Sequence, residues 1–116
     1  MAVLALLSVP DTGGCQDIKV DLELSLVVDS SPSIDNAEFQ LMMEGYASAV
    51  ENPSFLQSVF SGPNQAVAIN LILYTVGQSE RIGWTRVSNV AEAAALAEAI
   101  RNVARRTDNS AGTGDA

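Results

Sequence analysis

The stretch Ala66 to Val76, AVAINLILYTV, is so dense in aliphatic side chains that a surface strand or a loop is a poor account of it. A run of this kind reads as a strand buried at the centre of a sheet. An earlier strand runs from Leu22 to Val28. Its Leu22, Leu24, Leu26 and Val28 share one face and Glu23, Ser25 and Val27 the other, and its apolar end at Val27-Val28 is expected to be covered on both sides. Helix-forming sequence lies between the two strands, and strands joined by such a crossover pair in parallel.

The helices announce themselves by their caps. Asp35 is an N-cap and Glu38, three residues on, completes a capping box. Phe39, Met42, Met43, Tyr46 and Val50 then recur at helical spacing. Asn52-Pro53 stops that helix and caps a short second one through Phe55, Leu56, Val59 and Phe60, which Ser61-Gly62-Pro63 ends. After a turn at Gly77-Gln78, Arg81 to Val87 is expected as an antiparallel strand carrying Trp84. Asn89, with Glu92 at the capping-box position, opens a last helix whose face is Ala93, Leu96, Ala97, Ile100, Val103 and Ala104. Thr107 to Ala116 is a polar, glycine-containing tail. The sum is an α/β fold: an open, mainly parallel sheet with one antiparallel edge strand and flanking helices, the strands at Leu22–Val28 and Ala66–Val76 being adjacent and central.

Composition narrows the chemistry. A chain of 116 residues is one domain at most, and a net charge of −8, with six basic residues that form no stripe, argues against a nucleic-acid partner. Arg101, Arg105 and Arg106 read as a solvated helix end, where cations suit the dipole. There is no histidine, which excludes Ser-His-Asp and Cys-His catalysis and His-ligated zinc. The one cysteine, Cys15, has no second thiol to pair with. Any metal here is therefore hard and oxygen-ligated, meaning Mg, Ca or Mn.

Met1 to Pro10, MAVLALLSVP, is too short an apolar run to span a bilayer. With Gly13-Gly14-Cys15 after it, residues 1–15 resemble the apolar core and cleavage end of a secretory signal peptide without its basic leading segment. That predicts a periplasmic or secreted protein whose domain occupies residues 16–116. The alternatives are an additional apolar strand or a frayed N-terminus, and a lipoprotein cleavage site at Cys15, against which Thr12 stands where such sites usually want an aliphatic residue.

Chemistry concentrates where the first strand stops. Asp29-Ser30-Ser31-Pro32-Ser33 sets a carboxylate and two hydroxyls at the carboxyl end of a buried strand, where open α/β sheets bind ligands. At spacing i, i+2, i+4 in a loop, Asp29, Ser31 and Ser33 can turn their oxygens toward one point. A hard cation takes about six oxygens, so three residues and water leave room for a partner's carboxylate. The plainer alternative is a turn and helix-capping cluster.

The pattern of an apolar strand followed by D-x-S-x-S, here Asp29, Ser31 and Ser33, resembles the metal-ion-dependent adhesion site of von Willebrand factor type A domains. The stretch DLELSLVVDSSPSIDNAEFQLMMEGYASAVENP, the aliphatic second strand, the Gly62-Pro63 turn and the Trp84-Thr85 dipeptide look like a bacterial family of exported proteins of unknown function in that superfamily. The resemblance covers Gln16 to Ala116. It implies a Rossmann-like architecture and a site holding Mg or Mn on Asp29, Ser31 and Ser33, with a protein partner bound through a carboxylate on the metal. There are three departures. Pro32 stands where such loops commonly carry Gly, which fixes its φ and restricts Ser31. The family's next ligand is a Thr in a T-x-x-G-x-A segment, and aligning Gly114-Asp115-Ala116 puts Ala111 there, so Thr113 becomes the ligand only with a loop shift. The family's later strands, helices and third-loop Asp do not follow, so the chain matches the N-terminal half of such a domain. That leaves the Leu22–Val28 strand with an unpaired edge open to self-association.

The expected function is a non-catalytic protein-interaction module with a remnant or partial metal-ion-dependent adhesion site, which binds its cation weakly because the remaining protein ligands are missing. Two rivals are a gene fragment without independent activity and a Mg-dependent phosphoryl-transfer enzyme with Asp29 as nucleophile. The enzyme reading wants a second acid two residues on, where Ser31 stands. Tyr46 and Trp84 read as core or edge side chains before they read as a ligand cage.

Overall fold

Alternation in the first strand and the aliphatic run of the second lay down a sheet on which the capped helices settle by their apolar stripes. The computed structural model describes residues 19–105. In chain order these form strand β1 (Leu22–Asp29), helices α1 (Asn36–Val50) and α2 (Pro53–Phe60), strands β2 (Val67–Tyr74) and β3 (Gln78–Val87), and helix α3 (Val90–Arg101). The reading of residues 1–15 as a signal peptide lies outside the described residues.

The sheet order is β1-β2-β3. β1 and β2 are parallel, paired from Leu22↔Val67 to Asp29↔Tyr74, with α1 and α2 as the crossover. β3 returns antiparallel along the other side of β2, with irregularities on either side of Leu71. It begins at Gln78, earlier than the expected Arg81, because the turn closes at Thr75–Gly77, where the Thr75 amide donates to the Gly77 carbonyl at 2.9 Å.

Helix starts follow their caps. The Asp35 carboxylate accepts from the Glu38 amide at 2.8 Å while the Glu38 carboxylate accepts from the Asp35 amide at 2.9 Å. Asn52 caps α2, with Pro53 at its first turn, and Asn89 caps α3 by accepting from Glu92 N at 2.8 Å. The core joins Val28, Val67, Ile69, Leu71 and Leu73 of the sheet to Phe39, Met43 and Val50 of α1, Leu56 and Val59 of α2, and Leu96 and Ile100 of α3. Ala47 on α1 and Ala93 and Ala97 on α3 are fully buried, and such small side chains let helix axes approach closely. Arg101 ties α3 to α1 across this seam, donating to Glu44 at 2.9 Å and to Glu51 at 2.6 Å.

Two expectations are corrected. The β1 and β2 residues of the core all point to one face of the sheet, so Val28 is buried while Val27, one residue earlier, is 53% exposed. Among the described residues β2 alone is central; β1 pairs on one side only, which makes it an edge. The face opposite the helices carries Ser25 and Val27 of β1 with Asn70, Ile72 and Tyr74 of β2.

Candidate functional site

β1 delivers Asp29 to the carboxyl end of the parallel pair, opposite Tyr74 of β2. Pairing runs one residue further, the Ser30 amide donating to the Tyr74 carbonyl at 2.8 Å, and Ser30 is buried. The backbone then turns. Pro32 fits a tight turn because its φ is preset, and the Ile34 amide closes the turn on the Ser31 carbonyl at 3.0 Å. Asp35 starts α1 immediately after, so the loop is held between a strand end and a capped helix.

Within this frame the three expected ligands come together. The Asp29 carboxylate accepts from the Ser31 amide at 2.8 Å, and the Ser31 and Ser33 hydroxyl oxygens lie 3.1 Å apart. The Ser31 amide, and after it the Ser31 hydroxyl, holds the Asp29 carboxyl below its ordinary range, so Asp29 is ionised at neutral pH. The donor set suits a hard cation. Two oxygens bound at right angles, each ~2.1 Å from Mg, stand ~3 Å apart, close to the Ser31–Ser33 separation. Among the described residues no cluster of three acidic or cysteine side chains gathers anywhere. The loop therefore offers one negative charge and two neutral oxygens, a set that would leave a bound Mg or Mn short of ligands and electrophilic. Thr113, the fourth expected ligand, lies outside the described residues.

Nothing in the local sequence pattern signals Arg105. Expected as part of a solvated helix end, it folds back from beyond α3 onto this loop. Its Nη2 donates to the Ser31 carbonyl at 2.8 Å and its Nη1 to Asn36 Oδ1 at 3.0 Å. Its guanidinium carbon lies 5.8 Å from the centroid of the Phe39 ring. Local pattern cannot distinguish Arg105 from Arg101, because the contact joins residues 74 positions apart. Tyr46 sits against the core, and Trp84 is partly exposed on β3, away from the loop in sequence and in strand order.

No helix among the described residues is long and apolar enough to cross a membrane. A family model described as "Protein of unknown function (DUF1194)" matches residues 19–116. No curated protein and no solved structure matches the chain.

Proposed function

The chain belongs to the DUF1194 family of proteins of unknown function, and for it we propose a von Willebrand factor type A-like interaction module that binds a protein partner through a divalent cation on Asp29, Ser31 and Ser33. The observation that carries this reading is the convergence of the three side chains at the carboxyl end of a parallel strand pair, with the two hydroxyl oxygens 3.1 Å apart. Asp29 supplies the one formal charge that attracts Mg or Mn. Ser31 and Ser33 turn lone pairs to the ion, and water fills the remaining positions. A divalent cation with a single carboxylate on it retains a net positive charge, so an Asp or Glu side chain of a partner displaces one water and completes the shell.

The module is non-catalytic. Ser31 stands where a phosphoryl-transfer site would set its second acid, and the Asp29 carboxylate accepts the Ser31 amide of its own loop. The test is surface plasmon resonance over immobilised synthetic peptides carrying a single Glu or, as control, Gln. Retention of the Glu peptide in Mg, with loss in EDTA, on Glu→Gln exchange in the peptide and in the Asp29→Ala chain, is the expected result. Retention that survives EDTA would overturn the reading.

A further inference from the structure

We propose that Arg105 is a positioning residue for the Asp29–Ser33 loop, holding it in the geometry that accepts a cation without itself touching the ion; this rests on the cation reading above. Ser31 is the pivot of the loop. Its amide donates to the Asp29 carboxylate, its side chain meets Ser33, and its carbonyl accepts from both Ile34 N at 3.0 Å and Arg105 Nη2 at 2.8 Å. Displacement of Ser31 would move its own hydroxyl and break its amide contact with Asp29, disturbing two of the three ligands together. The Ile34 hydrogen bond is local to the turn and moves with it. The Arg105 hydrogen bond comes from a different part of the chain and fixes the turn to the body of the domain.

Arg105 is itself well held. One nitrogen is fixed on Asn36 at the first turn of α1, and the guanidinium faces the ring of Phe39, a fully buried side chain. A planar cation gripped by a helix residue and an aromatic ring has little freedom left to lose on binding, so it orients its acceptor effectively. Groups that orient ligands from outside the coordination shell commonly change metal affinity by about 10- to 100-fold.

Charge and geometry predict opposite effects, which makes the inference testable. Removing a positive charge near a cation site tightens cation binding on Coulombic grounds alone, whereas releasing the Ser31 carbonyl loosens it. Isothermal titration with Mn²⁺ is run on the full chain, on Asp29→Ala, on Arg105→Gln and on Arg105→Lys, which keeps the charge and loses the fork. Amide hydrogen exchange at Ser31 and Ile34 is followed in each protein without metal. The expected result is Mn²⁺ affinity roughly 10-fold weaker in both Arg105 variants, with faster exchange at both amides and an unchanged far-ultraviolet dichroism spectrum. Asp29-dependent binding that is equal or tighter in Arg105→Gln would overturn the role of Arg105 and leave the cation site standing. Equal Mn²⁺ heats from the unsubstituted chain and Asp29→Ala would overturn the cation site, and this inference with it.

Discussion

Ser25 on the edge strand donates to Asn70 Oδ1 on the central strand at 2.6 Å, on the sheet face opposite the helices. Asn70 passes the contact on, its amide nitrogen donating to Glu80 Oε2 of β3 at 2.8 Å. One side chain thus links all three strands, and it does so while only 5% exposed. A buried amide in the middle of an aliphatic strand persists because both ends of it are bonded. Asn70→Ala is expected to destabilise the fold by about 1–3 kcal/mol, the usual cost of breaking such a buried arrangement. Urea denaturation measures it, and a change below about 0.5 kcal/mol, typical of an unencumbered surface position, would show the linkage to be idle.

Stability should fall on the acid side. Hydrogen bonds from Arg101 and then Ser48 hold the Glu44 carboxyl below its ordinary value of 4.5, and the Ser88 hydroxyl followed by the Ser88 amide does the same for Glu92. A carboxyl lowered in the folded state binds its proton more readily in the unfolded chain. Its stabilisation is therefore complete above the unfolded value and is lost as pH falls through the folded one. Thermal unfolding followed from neutral pH downward should show a midpoint that declines as pH falls from the ordinary carboxylate range toward the lowered folded values. Glu92→Gln should flatten part of that decline. A midpoint independent of pH through this range would contradict the assignment.

Self-association is predicted along β1. Among the described residues this strand bonds to β2 alone, and its free edge presents N–H and C=O groups beside the exposed side chains of Leu22 and Val27. An aliphatic edge of this kind pairs readily with an identical edge of a second copy. Sedimentation velocity at micromolar concentration should show a dimer or larger species, and Val27→Lys should shift it toward monomer, since a charged edge discourages pairing. Val27 lies outside the core, so the substitution leaves the fold in place. A monomer at every concentration would remove this prediction.

Caps and periodicity made most of the fold legible in the sequence. Asp35, Asn52 and Asn89 start their helices as read, since a cap is a contact among near neighbours. The parallel pairing of β1 and β2 followed from the helices between them. The exposure of Val27 was not legible, because alternation tells which residues share a face and not whether anything covers that face. The candidate site divides in the same way. Asp29, Ser31 and Ser33 are close in sequence and meet within one loop, whereas Arg105 reaches Ser31 only once α3 has docked on α1.

Whether Asp29, Ser31 and Ser33 form a cation site is decided by calorimetric titration of the full chain with Mg²⁺ and Mn²⁺. The titration is repeated on Asp29→Ala and on the double variant Ser31→Ala, Ser33→Ala. Saturable heat at one ion per chain is expected for the unsubstituted protein. That heat should be abolished by Asp29→Ala, which removes the only formal charge of the set, and reduced by the loss of the two hydroxyls. Equal heats from all three proteins would mean that the loop is a turn and helix cap alone.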